Sequence, residues 1–479
     1  MSKNAACRSN FALEASLRAS RRAALRLGCT GAFGLPLSRL LQARAATAEA
    51  ARVDPGFGGA RSCIVLFCWG GMSQLEGWDP KPDAPAEVRG DYKAIDTTLP
   101  GVQVGEYLPL LARQTDRLAI VRSCRHRARD HRQAAYWTLT GIPPIQLDGV
   151  MVSNPVLPTR HDKPSLGSMV GWVRGADSDL PATVTLPYPI AERGLVGGQN
   201  AGFLGVRHDP LFARPVAGEP FPGVSPLSNA PDFSAMDEAV SQRLRSRGQL
   251  LDALENPSGA LVRDYDSAAW DHFHEYAADM LTNPQVQRAF RLDQEPDRLH
   301  EAYGKHIFGQ SVLLARRLTE AGVPLVTVNC GAGDLNGGIG AIWDTHFVGF
   351  PQLKNHLMPP FDRAGSALLD DLAERRTLDE TLVVFVTEFG RQPVINQFGG
   401  RDHLPDCYSV AFAGGGIRGG QVLGRSDRLA AEVLDGACGP ADLHATVFHA
   451  LGIDGQMTLT NPAGESVPLT DGKPLPLFD

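Results

Sequence analysis

The sequence predicts an α/β protein with a mostly parallel sheet flanked by helices. Solid apolar runs recur along the chain, segments of helical period lie between them, and almost every run is followed by glycine or by ionisable residues. A run that is apolar at every position fits a strand covered on both faces, and strands alternating with helices are the pattern of an α/β fold.

Taken in order, IVLFCW (Ile64 to Trp69), closed by Gly70-Gly71, is the first strand. LPLLARQTDRL from Leu108 has helical spacing, Leu118 to Val121 is a second strand, and Asp130 to Leu139 is a helix stopped by Thr140-Gly141-Ile142-Pro143-Pro144. From about Gly149 to Gly259 the chain is rich in Pro, Gly and Asn, and reads as a loop-rich cap inserted over the carboxyl edge of the sheet. A long helical pattern from Leu299 to Glu320 precedes the strand Leu325 to Asn329. A helix from Pro351 to Arg376 leads to the strand Leu382 to Thr387, and Tyr408 to Ala413 and a helix from Asp442 to Leu451 complete the set.

Composition bounds the function classes. The chain has 479 residues, 43% hydrophobic and 21% charged, within the range of globular proteins. The first fifty residues carry a net charge of +6, so the remainder carries −13. Ser20-Arg21-Arg22, a weakly apolar stretch and the small-residue sites Ala43-Arg44-Ala45 and Ala46-Thr47-Ala48 make residues 1–48 an expected export leader of twin-arginine type. That leaves 60–479 as the main domain and the periplasm or the exterior as its expected location. No apolar run reaches the length of a membrane span. An acidic chain without a basic tract does not suit nucleic acid. Six cysteines lie beyond the leader without a C-x-x-C pair, so buried thiols are expected, with one disulfide left open.

Ligands of open α/β sheets bind beyond the carboxyl ends of the strands. The residues there are Ser73, Glu76 and Asp79 after the first strand, and His126, Asp130 and His131 after the second. Asp334, Asp344 and His346 follow the next, and Glu388, Arg391, Arg401, Asp402 and His403 the strand Leu382 to Thr387. In Trp343-Asp344-Thr345-His346, acid and imidazole sit one residue apart on the same side of an extended segment. They can hold a metal ion or a phosphate-like group, or the acid can simply brace the imidazole. Asp402-His403 is a second such pair, and Arg391 and Arg401 can fork onto a tetrahedral anion or pair with neighbouring acids. GGGIRGG (Gly414 to Gly420) reads as a tight turn, and neither a phosphate-binding G-K-[ST] loop nor a G-x-S-x-G elbow occurs.

The stretches GGMSQLEGWDPKP, HRQAAYWTLTG, WDTH, LDETLVVFVTEFGR and GRDHLPDCYSVAFAGGGIRGGQVLG resemble those of the secreted family known as domain of unknown function 1501. That family in turn resembles the alkaline phosphatase and sulfatase superfamily. The resemblance implies an alkaline-phosphatase-like fold with one or two divalent metals beside a nucleophile. Counted back from Thr140-Gly141, His131 stands in the nucleophile's place, and the motif's proline and arginine are replaced by Gln133 and Ala135. Glu388 keeps the acid of a strand-ending Asp-His pair and Phe389 loses its imidazole. On this resemblance the chain is expected to be an exported hydrolase of sulfate or phosphate esters. A zinc, calcium or magnesium ion is expected on Asp344, His346, Glu388, Asp402 and His403, with His131, Arg391 and Arg401 in the chemistry. The alternative is a protein that binds a metal or an anionic glycan without turnover.

Overall fold

The structure is a computed structural model, and it describes residues 55–144, 158–175, 180–192, 194–213, 283–330 and 342–478. The expected leader (1–48) and the Asp334 loop lie outside the described residues. Eight strands form the central sheet: β1 (Ser62–Phe67), β2 (Leu118–Cys124), β3 (Thr183–Leu186), β4 (Leu211–Phe212), β5 (Leu325–Asn329), β6 (Thr381–Val386), β7 (Tyr408–Ala413) and β8 (Gln421–Leu423). Their spatial order is β8-β2-β7-β6-β1-β5-β3-β4. β1 lies at the centre, parallel to β6 on one side and to β5 on the other.

The sheet is mixed and mostly parallel. Only β7 runs against its neighbours, antiparallel to both β2 and β6. Alternate residues of each strand enter opposite cores, as the two-residue period requires. Ile64 and Leu66 of β1 pack with the helices α4 (Ile307–Ala321) and α5 (Met358–Glu374). Cys63, Val65 and Phe67 pack with α1 (His131–Thr140), α2 (Leu166–Arg174) and α6 (Pro440–Ala450). No described helix is long and apolar enough to cross a membrane.

Three expectations need correction. The stretch read as a cap contributes α2 and β3, and β3 is hydrogen-bonded in the sheet beside β5. Four buried residues between Pro181 and Pro187 are too short a run to stand out from the turn residues around them. The helix expected from Leu299 to Glu320 is two, α3 (Asp297–Tyr303) and α4, parted at Gly304, whose φ of 94° lies outside helical space. The helix expected from Pro351 opens with a short helix at Gly349–Gln352 and one π turn over Leu353–Leu357 before α5 starts at Met358. All six cysteines are buried free thiols, with Cys124 Sγ and Cys438 Sγ 3.4 Å apart.

Candidate metal centre

Each site residue is held by a local device at the carboxyl edge of the sheet. Asp130 caps α1 by accepting from the amides of Arg132 (3.1 Å) and Gln133 (3.3 Å), which places His131 in the first helical turn. Glu388 is the second residue after β6 and is fully buried. After β1 the chain turns through Gly70, whose Cβ would stand 2.5 Å from the Asp344 amide. Only a glycine lets the segment bearing Asp344 and His346 come this close. His403 lies in a two-residue antiparallel pairing opposite Arg391.

These devices bring His131, Asp344, His346 and His403 together, with one ligand atom from each within 4.8 Å of all the others. The Nδ1 atoms of the three imidazoles all face outward to oxygen acceptors. His131 Nδ1 meets Glu388 Oε1 at 2.8 Å, His346 Nδ1 meets Asp402 Oδ1 at 2.7 Å, and His403 Nδ1 meets the Arg129 carbonyl at 2.7 Å. An Nδ1 that donates its proton to an acceptor leaves Nε2 with a free lone pair. The three Nε2 atoms point inward to one carboxylate oxygen: Asp344 Oδ1 lies 3.2 Å from His131, 3.2 Å from His346 and 3.3 Å from His403. His346 Nε2 and His403 Nε2 are themselves 2.8 Å apart, and His131 is buried.

A tetrahedral ion with bonds of about 2.0–2.1 Å spaces its donors about 3.3 Å apart, and the three nitrogen–oxygen separations of 3.2, 3.2 and 3.3 Å lie at that spacing, with the His346–His403 pair closer at 2.8 Å. Backing an imidazole ligand with a carboxylate or carbonyl is the usual arrangement behind a metal. A set dominated by nitrogen suits zinc and its neighbours better than calcium or magnesium, which prefer oxygen.

The charges are tuned by their surroundings. Burial opposes ionisation of Asp344, but hydrogen bonds from His131 and His403 and the Arg391 charge outweigh it and hold the carboxyl below its usual range. Burial also opposes a charge on His131, yet its bonds to Asp344 and Glu388 raise it to about 9, so an ion bound there would have to displace the Nε2 proton. Burial and the neighbouring cations hold His403 below its usual value, against the pull of Asp344. For Asp402 the His346 hydrogen bond lowers the carboxyl.

Several expected site residues stand elsewhere than their assigned roles require. Glu388 and Asp402 lie behind the imidazoles and outside the group of converging ligand atoms, and Glu388 also accepts from the Gly70 amide at 2.8 Å. Arg391 is fully buried. It bonds Asp344 Oδ1 (2.7 Å) and the carbonyls of Gly70, Gly71 (2.9 Å), Trp343 (3.2 Å) and Arg401 (3.0 Å), a strut leaving at most one donor for an anion. Arg401 is buried against Glu76, Nη2 to Oε1 at 2.5 Å, and bonds the carbonyls of Val88 (2.6 Å) and Pro393. The acids after β1 are likewise committed: Glu76 to Arg401, and Asp79 to Lys81 (2.9 Å) and Arg122 (3.4 Å). Ser73 is buried, with no hydrogen bond to its Oγ. His126 Nε2 meets the Glu388 carbonyl at 2.5 Å, and burial pushes this imidazole down to about 4 despite that bond. The contribution that sequence reasoning missed is the Arg129 carbonyl, a backbone group that no residue type signals.

Residues 60–477 match the family described as "Protein of unknown function (DUF1501)". The chain belongs to this family. Among curated proteins none matches the sequence significantly. Solved structures similar to the DUF1501 chain include the lipoteichoic acid synthase LtaP from Listeria monocytogenes, with 10% identity, 87% of this chain and 76% of that one covered, and a TM-score of 0.39. The PsFucS1 sulfatase from Pseudoalteromonas sp. has 16% identity, coverage of 83% and 68%, and a TM-score of 0.35. A protein in the alkaline phosphatase superfamily from Vibrio parahaemolyticus has 10% identity, coverage of 84% and 68%, and a TM-score of 0.32.

Proposed function

We propose that the protein is an exported hydrolase of sulfate or phosphate esters that works with one divalent transition-metal ion, zinc foremost, on His131, His346, His403 and Asp344. The single observation that carries this reading is the shared orientation of the imidazoles, each fixed through Nδ1 and each presenting Nε2 to the same carboxylate oxygen. A divalent ion at such a point supplies Lewis-acid stabilisation of the negative charge that builds on an ester's oxygens.

The chain's own groups do the rest. Glu388, Asp402 and the Arg129 carbonyl fix the tautomer and aim of the ligands, which raises their basicity. Arg391 balances Asp344 and ties the turn after β1 to the segments bearing Asp344 and Arg401. His131 stands where the superfamily resemblance expects a nucleophile, but its Nδ1 is bound to Glu388 and its Nε2 belongs to the cluster. The reading is therefore direct attack by water on phosphorus or sulfur, the ester oxygen leaving with a proton, rather than a covalent intermediate on the protein.

One observation favours a second reading, a metal-dependent binder of an anionic glycan or ester. Both guanidiniums expected to grip the anion are committed to protein partners, Arg391 to Asp344 and four carbonyls and Arg401 to Glu76. Turnover of aryl sulfate and aryl phosphate by the zinc-loaded chain separates the two. The hydrolase reading expects turnover that His403→Ala removes together with the metal. Zinc bound in full, with no turnover across a broad ester panel, contradicts it in favour of the binder.

A further inference from the structure

Among the described residues nine large apolar side chains are well exposed, and the two aromatic ones, Phe347 and Phe398, are in contact, with ring centroids 4.9 Å apart. Phe347 is 47% exposed and Phe398 53% exposed, and Phe347 directly follows the ligand candidate His346. Two exposed phenylalanines in contact at the rim of a polar cluster cost solubility and do nothing for the core.

Their setting is built rather than incidental. The Val348 amide donates to the Phe398 carbonyl (3.0 Å), the Gly349 amide to Gly399 (2.9 Å), and the Arg401 amide to Thr345 (3.1 Å). Asn396 donates from Nδ2 to the His346 carbonyl (3.0 Å) and to Asp402 Oδ1 (3.2 Å), and its Oδ1 accepts from the amides of Phe398 (2.9 Å) and Gly400 (3.1 Å). A Cβ on Gly400 would stand 2.2 Å from the Thr345 carbonyl oxygen, so the two segments touch backbone to backbone. Between the phenylalanine and the following helix sits Val348 at φ 48° and ψ 38°, a left-handed conformation that a β-branched residue rarely takes. Strain of this kind persists where surrounding structure imposes it, and it gathers at ligand sites. The network that orients Asp402 behind His346 therefore also fixes the backbone that carries the two rings.

We infer that Phe347 and Phe398 form a ring-binding subsite continuous with the metal centre, taking the flat apolar face of the group esterified to the anion. The substrate class that follows is a ring-bearing ester, the anion at the cluster and a pyranose or aromatic ring against the phenylalanines. Straight-chain esters are discriminated against, because they present no flat face to a rigid aromatic pair. This inference rests on the ester reading above.

The test is calorimetric binding to the zinc-loaded full chain of four phosphonates that cannot be hydrolysed: methyl-, n-butyl- and phenylphosphonate and the 6-phosphonate analogue of glucose 6-phosphate. At least one ring probe should bind about 3- to 10-fold more tightly than n-butylphosphonate, the range expected for an aromatic face contact. The tighter ring probe identifies the ring as aromatic or pyranose. Phe347→Leu and Phe398→Leu, which keep apolar bulk but lose the ring face, should each erase most of that advantage while leaving n-butylphosphonate affinity and bound zinc unchanged. Ring probes no tighter than the butyl probe, or variants that weaken all probes alike, overturn the subsite while leaving the ester reading intact. Bound zinc with no affinity for any phosphonate overturns the ester reading, and the subsite falls with it.

Discussion

Two clusters of ionisable groups in this fold are organised on opposite principles. Between α4, α5 and the segment before α3, Arg316 is 1% exposed and faces only acids: Glu295 at 2.8 Å, Glu320 at 2.7 Å and Asp371 at 2.9 Å. Arg375 and Arg317 close the same acids from outside, and Tyr303 adds its hydroxyl to Asp371 at 3.0 Å. Every charge there has its opposite. At the carboxyl edge of the sheet, three imidazoles and a guanidinium crowd one carboxylate oxygen, and two Nε2 atoms face each other. The first arrangement balances its charges within itself, although Arg316 Nε and Nη2 lie beside their acids without making hydrogen bonds, and the second is the one that the proposed cation would complete. Density of ionisable residues therefore says little. What separates a structural network from a binding site is whether donors meet acceptors or converge on a shared point.

The largest expected effect comes from breaking the complete network. Asp371→Ala leaves Arg316 buried and short of an acid, and should cost about 3–5 kcal/mol in denaturant unfolding, with metal content unchanged. An equal loss of bound metal would mean that the two regions are not independent.

Next is an imidazole that belongs to neither cluster. His444 is buried on α6, its Nε2 bonded to the Thr138 carbonyl (2.8 Å) and its Nδ1 without a partner, and burial pushes it down to about 4. Because the folded value lies below the unfolded one, its stabilisation is fully present above pH 6.5 and is lost as pH falls through about 4. Over that window the loss is on the order of 3 kcal/mol. Denaturation of metal-free protein across this range should show the slope, and His444→Phe should reduce it.

A smaller effect tests the supports of the candidate metal centre. Glu388→Gln and Asp402→Asn should each weaken zinc binding about 10- to 100-fold. Titration against a competing chelator measures this, and unchanged affinity would make the two acids mere neighbours. Smallest is Val348→Gly, which relieves the left-handed strain and should raise stability by about 0.5–1 kcal/mol in thermal unfolding. A loss of stability instead would remove the evidence of strain at the aromatic rim.

The same contrast explains what was legible in the sequence. Strands such as β1, β6 and β7 announce themselves because burial on both faces demands unbroken apolar runs, whereas β3 is four residues hidden among prolines. The reversed direction of β7 has no sequence signal, since a buried strand reads alike either way. His131, Asp344, His346 and His403 were legible because a sheet edge gathers whatever follows its strands. The division between ligand and support was not, because it depends on which ring nitrogen faces which oxygen. Nor could Arg401 be matched to Glu76 across 325 positions, a pairing only the folded chain creates.

The most direct test of the converging centre is the metal content of the purified chain by elemental analysis, with and without zinc replenishment. The account predicts about one transition-metal ion per chain, mostly lost in His403→Ala, while denaturant unfolding shows that the variant stays folded. A wild-type chain that holds no zinc after replenishment, or a His403→Ala variant that holds as much as wild type, would contradict it.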